Sequence, residues 1–131
     1  MDRIRVDDGH ATQADLAARP EAASVARGLL GPLRTNLQDD VVEVAKLLVT
    51  EVVANSVVHS DAMEPIRVSV ERCPETLRVQ VSDSGPSFEP EVRPPRAGSE
   101  SGWGLYLVDT LADRWGVRSE GDVTVWFELD L

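Results

Sequence analysis

Three polar side chains recur at four-residue intervals in a stretch that is otherwise rich in valine. Residues 50–60 read TEVVANSVVHS, and the polar positions are Glu51, Asn55 and His59. A step of four residues rotates an α-helix by about 400°, so the three side chains share one stripe of a helix. Apolar neighbours crowd the stripe from both sides, which favours the floor of a ligand-binding cleft. The alternative is a solvated stripe on an amphipathic helix.

A second motif, VSDSG, ends a predicted strand with a carboxylate and a glycine, Asp83 and Gly85. Asp followed by Gly at a strand end most often forms a simple turn. The functional alternative is a buried carboxylate that accepts a hydrogen bond from a ligand amine, with the glycine allowing the ligand to approach closely.

A third motif, SGWGL, opens a predicted helix with two glycines, Gly102 and Gly104. One interpretation is a flexible hinge, with Ser101 as the helix cap. The same geometry also suits phosphate, because the first turn of a helix has free N–H groups and a partial positive charge.

The helices that must carry these motifs can be predicted from periodicity. Residues 20–37 predict a helix that Gly31 and Pro32 kink or fray. Residues 37–60 predict an unbroken helix of about twenty residues. Asp39 or Asp40 is expected to cap its N-terminus.

The remaining elements are strands, one long loop and a third helix. Residues 66–72 and 77–83 alternate cleanly and predict an antiparallel hairpin. Residues 84–102 contain four prolines and three glycines, which is typical of a lid or a binding loop. Residues 102–116 predict a helix that ends at Gly116. Residues 117–129 predict two strands around the Gly-Asp turn at 121–122.

This order of elements predicts an α+β fold, a two-layer sandwich of helices on one face of a mostly antiparallel sheet. Residues 20–131 are expected to form a single domain, with a lid at 84–102. The preceding segment, 1–19, is expected to hold a short edge strand or to be partly disordered.

Charge and cysteine content exclude several classes of partner and site. The chain has 23 acidic and 13 basic residues and a net charge of −10. Nucleic acid and anionic membranes require basic surface, so neither is expected to be a partner. Cys73 is the sole cysteine, which excludes an intrachain disulfide and a cysteine metal cluster. The sequence lacks a signal peptide or membrane span, so a cytoplasmic location is expected.

The three motifs, in this order, resemble those of the GHKL ATPase superfamily, and more narrowly the small anti-sigma-factor serine/threonine kinases of bacteria. EVVANSVVHS matches the N box, VSDSG the first glycine box and SGWGLYLVDTLADRWGV the second. The resemblance covers about residues 20–130. It implies the Bergerat-type ATP-binding fold, with the proline-rich segment as a flexible lid.

The resemblance also implies a role for each residue of the first two motifs. Asn55 would coordinate Mg²⁺ that bridges the ATP phosphates, since an amide oxygen is a hard ligand. Glu51 would act as the general base for an attacking hydroxyl. Asp83 would accept a hydrogen bond from the adenine amino group, and Gly85 would let the base lie close.

The roles carried over for the other residues concern both ends of the nucleotide. Gly102 and Gly104 would donate backbone N–H groups to the phosphates. Thr124 would support the adenine through water. His59 would either lie near the phosphates or cap the end of its helix.

At three positions the sequence departs from the family pattern, and each departure reduces the positive charge near the inferred phosphate site. Relatives often carry a cation at the positions of Val58, Glu100 and Trp103. We therefore expect ATP binding that depends strongly on Mg²⁺ and is weak.

The resemblance implies a regulator that binds a sigma factor in one state and phosphorylates a serine or threonine of an anti-sigma antagonist in another. Such partner switching would regulate transcription. One alternative is a nucleotide-sensing binding module without catalysis, and another is an interaction protein that no longer binds nucleotide. Members of the family frequently dimerise, so a second copy of the chain is a further partner that the resemblance implies.

Overall fold

The computed structural model describes residues 2–7, 10–60, 63–85 and 103–131. The helices are α1 (Ala22–Gly28), a 3-10 helix (Gly31–Asn36), α2 (Asp39–His59) and α3 (Trp103–Leu111). The strands are β1 (Arg3–Asp7), β2 (Ala11–Leu16), β3 (Ile66–Arg72), β4 (Thr76–Asp83), β5 (Arg114–Glu120) and β6 (Asp122–Asp130).

The strands form one sheet in the order β1-β2-β3-β4-β6-β5, and each neighbouring pair is antiparallel. Alternate side chains of the central strands are buried beneath the helices. The other face of the sheet, here called the outer face, has half-buried and exposed side chains. This arrangement confirms the predicted α+β fold with a mostly antiparallel sheet.

Helix α2 is the centre of the helical layer and contacts α1, α3 and the sheet. Its buried side chains recur at three- and four-residue intervals, as expected for a helix with one face in the core. They are Val41, Val42, Ala45, Leu48, Val49, Val52, Val53 and Ser56. This packing holds the polar row defined above at a fixed place over the sheet.

The N-terminal segment is part of the sheet. Strand β1 lies at the sheet edge, and β2 lies between β1 and β3. Ala14 and Leu16 of β2 are fully buried in the core. Of the two expectations for residues 1–19, the edge strand is therefore present, together with a second strand.

The predicted break in the first helix is confirmed, but the predicted cap of the second is wrong. Helix α1 ends at Gly28, and a 3-10 helix begins at Gly31. Helix α2 begins one residue after Gln38, which occupies the cap position without a side-chain hydrogen bond. The carboxylate of Asp40 accepts instead from the N–H of Val41, over 3.0 Å.

The third helix ends earlier than predicted. Helix α3 stops at Leu111, and both Trp115 and Gly116 lie in β5, opposite Phe127 and Trp126. A Cβ at Gly116 would lie 2.8 Å from Nε1 of Trp126, so the glycine makes room for the indole. The spacing of apolar residues suited a helix, but pairing with β6 determines the structure here.

The predicted hairpins are confirmed. Strands β3 and β4 pair in antiparallel register, and β5 and β6 meet at Gly121, which has a φ of +82°. That backbone conformation favours glycine and permits the tight turn. The predicted lid lies mostly outside the described residues, since only 84 and 85 of it are described. No helix in the described ranges is long and apolar enough to cross a bilayer.

Candidate functional site

The polar row of α2 lies at the boundary between the buried and the exposed face of the helix. Glu51 and Asn55 are half-buried, whereas His59, at the helix end, is exposed. On one side of the row Val52 is buried, with 2 % of its surface exposed, and on the other Val58 is 76 % exposed. The row is therefore flanked by core on one side only, so its polar groups remain accessible to a ligand.

The carboxylate of Asp83 is buried at the end of β4. Its residue is 8 % exposed and faces the helices, as Val81 does two positions earlier. Its Oδ1 accepts a hydrogen bond of 2.7 Å from the N–H of Gly85, which forms the turn expected from Asp and Gly at a strand end. A carboxylate can accept several hydrogen bonds, so this turn leaves capacity for a ligand donor.

The end of α2 and the end of β4 meet at Gly85. A Cβ on this residue would lie 2.5 Å from the backbone oxygen of His59 and 2.8 Å from Oδ1 of Asp83. Real Cβ atoms do not approach backbone oxygens that closely, so the position requires glycine. The structure thus brings together two motifs, the polar row and the Asp-Gly turn, that are more than twenty residues apart in the sequence.

Ser60 adds a polar group that the sequence analysis missed. Its N–H donates to the carbonyl of Ser56 over 2.8 Å, while its hydroxyl oxygen is buried and lacks a hydrogen-bond partner in the described part of the chain. A buried unsatisfied group costs about 1–3 kcal/mol. The only signal in the sequence was a serine directly after the polar row.

Thr124 lies on the outer face of the sheet, away from the side chain of Asp83. Its hydroxyl shares a hydrogen bond of 2.7 Å with the hydroxyl of Ser82. In the register of β4 and β6, Val123 stands opposite Asp83 and Thr124 opposite Ser82. Because side chains alternate between faces, the structure does not bring the Thr124 hydroxyl to the candidate site.

The start of α3 supplies the described part of the third motif. Gly104 lies in the first turn, where backbone N–H groups have no partner within the helix. Helix α3 packs against α2, and its Val108 is fully buried in the core. Gly102 lies outside the described residues, as does Ser101.

The charged groups of the candidate site are the carboxylates of Glu51 and Asp83. Neither Glu51 nor Asp83 takes part in an ion pair with another described residue. No group of three or more His, Cys, Asp or Glu side chains that could hold a metal ion occurs in the ranges described. A magnesium ion held by phosphate oxygens, waters and one amide oxygen does not require such a group.

Comparisons with known proteins find a family model and several relatives to which the chain is similar. A family model described as the histidine kinase-like ATPase domain matches residues 12–128. The serine-protein kinase RsbW of Listeria innocua is 33 % identical, over 75 % of this chain and 73 % of that protein. RsbW of Listeria monocytogenes serotype 4a has the same identity and coverage. RsbW of Staphylococcus aureus strain JH9 is 30 % identical, over 66 % of this chain and 64 % of that protein.

Proposed function

Because the chain belongs to the histidine kinase-like ATPase domain family, we propose that it binds ATP where the end of α2 meets the end of β4. The observation that carries this proposal is the buried carboxylate of Asp83, which has no counterion among the described residues and lies where the turn at Gly85 meets the end of α2. A carboxylate without a counterion in a buried position is costly, and a ligand donor offsets that cost.

At the adenine end, Asp83 would accept a hydrogen bond from the exocyclic amine. Guanine has an oxygen acceptor at the equivalent position, so the carboxylate would select ATP over GTP. Gly85 would allow the base to lie close to the turn. Thr124 enters the proposal indirectly, because its hydrogen bond to Ser82 fixes the end of β4 from the outer face.

At the phosphate end, Asn55 would hold a magnesium ion through its side-chain oxygen. Bound there, the ion would neutralise charge on the phosphates. Gly102 and Gly104 would donate backbone N–H groups to phosphate oxygens, and His59 would lie near them. The buried hydroxyl of Ser60, without a described partner, fits a site completed by a ligand or its waters.

We further propose that the chain transfers the γ-phosphoryl group to a serine or threonine of a partner protein. The three relatives named above are serine-protein kinases. Glu51 would take the proton of the attacking hydroxyl while the oxygen of that hydroxyl bonds to the γ-phosphorus. The bond between that phosphorus and the β–γ bridging oxygen would break, releasing ADP. Glu51 is half-buried on α2, and this leaves its carboxylate accessible to a partner.

The partners proposed are an anti-sigma antagonist as the phosphoryl acceptor and a sigma factor bound in the other state. Switching between them would regulate transcription. The alternative is a nucleotide-sensing binding module without catalysis. The feature that favours the alternative is Val58, which is highly exposed at a position where the family pattern often has a cation.

Nucleotide titration by calorimetry tests the binding proposal. The wild type is expected to bind Mg-ATP more tightly than Mg-GTP by at least tenfold, about 1.4 kcal/mol. Asp83→Asn should remove this preference, because an amide can donate as well as accept. Asp122→Asn, at the exposed first residue of β6, is the matched control. An unchanged preference in Asp83→Asn would contradict the adenine role, and equal ATP affinity in EDTA would contradict the role of Asn55.

Phosphoryl transfer is tested separately with labelled ATP and candidate antagonist proteins. Glu51→Gln keeps the size of the side chain but cannot accept the proton, so it should bind Mg-ATP like the wild type and transfer label at least 100-fold more slowly, in the range expected for a general base. Unchanged transfer would exclude Glu51 as the base. ATP binding by the wild type without transfer to any antagonist would favour the non-catalytic module.

A further inference from the structure

A depression of about 460 Å³ lies on the outer face of the sheet, remote from α2 and next to the sheet edge. It is lined by Arg3, Arg5, Gln13, Ala14, Asp15 and Arg67. The antiparallel register explains this grouping, because Arg3 of β1 stands opposite Asp15 of β2, which stands opposite Arg67 of β3. Three of the thirteen basic residues of the chain therefore meet at one place.

The charges of the depression are only partly balanced. Nε of Arg67 donates to Oδ1 of Asp15 over 3.0 Å, and this ion pair fixes one guanidinium beside the depression. Arg3 and Arg5 are exposed and make no ion pair with the residues that the structure describes. The lining carries a local surplus of two positive charges in a chain whose net charge is −10.

Strand β1, which carries Arg3 and Arg5, also has an edge that no described strand pairs with and an exposed apolar face. Strand β1 pairs with β2 on one side and is the last strand of the described sheet on the other. On the helix side of β1, Ile4 is 53 % and Val6 is 55 % exposed. Along β1, arginine on the outer face thus alternates with apolar side chains on the opposite face.

Two simpler interpretations explain only part of this pattern. Arginine on an edge strand can prevent unwanted pairing between sheets. A protective edge would not, however, combine its charges with exposed isoleucine and valine. A small free anion would account for the arginines, but not for the apolar face or for the backbone edge of β1 that no described strand pairs with.

We propose that β1 is a docking edge for an extended segment of a partner protein that alternates acidic and apolar residues. The segment would add a seventh strand beside β1, with main-chain hydrogen bonds along the five residues of that strand. Its acidic side chains would face Arg3 and Arg5, and its apolar side chains would cover Ile4 and Val6. This surface lies on different strands from the proposed nucleotide site and does not depend on it.

A second copy of the chain is a poorer occupant. Its own β1 has the sequence RIRVD, with two arginines and one aspartate, so joining two copies would place two strands of net positive charge side by side. Like charges on neighbouring strands are destabilising, whereas opposite charges are stabilising. Charge complementarity therefore favours an acidic segment over self-association.

The test uses a fluorescein-labelled synthetic peptide of eight residues in which glutamate and valine alternate. We expect it to bind the full chain and to protect the amides of residues 3–7 from hydrogen exchange. A peptide with lysine in place of glutamate, and one with four glutamates followed by four valines, should bind at least tenfold more weakly. Arg5→Glu and Arg3→Glu should each weaken binding at least tenfold. Arg34→Glu, an exposed arginine of the 3-10 helix, should not change it.

Several results would overturn the proposal. Failure of the wild type to bind the alternating peptide at millimolar concentration would do so, as would equal binding of the lysine peptide. Unchanged affinity in both Arg3→Glu and Arg5→Glu, with melting temperatures that show both variants are folded, would exclude the depression as part of the peptide-binding surface. A wild-type dimer in sedimentation, with the β1 amides protected in the absence of peptide, would assign the edge to a second copy instead.

Discussion

Two carboxylates on opposite faces of the sheet, Glu128 on the outer face and Asp83 on the helix side, differ in the partners that they have. On the outer face, Glu128 accepts hydrogen bonds of 2.6 Å from Arg78 and 2.8 Å from Arg114, and Arg78 also lies 4.9 Å from the ring centre of Trp126. On the helix side, Asp83 receives one backbone hydrogen bond and no counterion from the described residues. Polar groups with internal partners hold strands together, and those without partners are the candidates for ligand binding.

The outer network links three neighbouring strands, β4, β6 and β5. Arg114 also bonds to Asp130, and Arg118 bonds to Gln80. These pairs are at least partly exposed, so solvent screening keeps the contribution of each pair to stability small. Their combined effect is to fix strand register on a face that no described helix covers.

The first prediction tests the closest backbone approach on the helix side. Gly85→Ala would place a Cβ 2.5 Å from the backbone oxygen of His59, and a backbone cannot rotate away as a side chain can. We expect the free energy of unfolding to fall by about 2–3 kcal/mol, as in overpacked cores, and nucleotide binding to be lost. Urea denaturation and calorimetry measure the two effects.

Gly28→Ala is the matched control for this prediction. A Cβ at Gly28 meets nothing within 4 Å, and the residue lies in the last turn of α1. Alanine there should raise the stability by up to about 1 kcal/mol, because alanine favours helix more than glycine does. Wild-type stability in Gly85→Ala would show that α2 and β4 do not meet as described.

The equivalent substitution on the outer face should cost less. A Cβ at Gly116 would lie 2.8 Å from Nε1 and 2.9 Å from Cζ2 of Trp126, which are side-chain atoms on a half-buried ring. Rotation of the indole can relieve part of this overlap, so Gly116→Ala should lower the free energy of unfolding by about 1–2 kcal/mol. The indole N–H resonance of Trp126 should shift, while ATP affinity should not change. A larger loss of stability than in Gly85→Ala would reverse the comparison between the two faces.

The outer network also predicts a pH dependence. Hydrogen bonds from Arg114 and Arg78 lower the pKa of Glu128 in the folded chain. Its stabilising effect is complete above the unfolded-state pKa, about 4.3, and is lost as the pH falls through the lower folded-state value. Glu128→Gln should therefore lower the free energy of unfolding at pH 7 by about 0.5–1 kcal/mol, the range of partly exposed ion pairs.

The difference between Glu128→Gln and the wild type should shrink as the pH falls below about 4.3. Denaturant unfolding at several pH values measures it. The control is Glu43→Gln, because Glu43 is exposed and lies 3.8 Å from Lys46 one turn away. A difference that persists unchanged at acid pH would mean that charge on Glu128 is not what stabilises the network.

Much of the architecture could be predicted because local patterns and tertiary contacts agree. The long apolar period of α2, the alternation in β3 and β4, and the Gly-Asp turn before β6 each appear in the structure where expected. Trp115 was misassigned because its spacing fits a helix as well as a strand, and the choice depends on pairing with Phe127. Such long-range pairing cannot be seen in a local window.

The residue types of the candidate site could be predicted from the sequence, but the burial of each side chain and the face on which it lies could not. The sequence placed Glu51, Asn55 and His59 on one stripe, yet which side of that stripe is buried depends on how α2 packs. The face on which Thr124 lies depends on the register between β4 and β6, and a shift of one residue reverses it. The burial of Ser60 likewise depends on the end of α2 meeting other elements, which no spacing rule describes.

The last and smallest effect concerns the start of α2, at the end of the helix opposite Asn55. Gln38 occupies the cap position with φ −70° and ψ 148° and makes no side-chain cap hydrogen bond. A serine there can accept from a free N–H of the first turn, so Gln38→Ser should raise the free energy of unfolding by about 0.5–1 kcal/mol. Gln38→Ala, which has no acceptor, is the control. ATP affinity should stay constant in both variants, because the cap is remote from the proposed site, and equal stability of the two would contradict the helix start at Asp39.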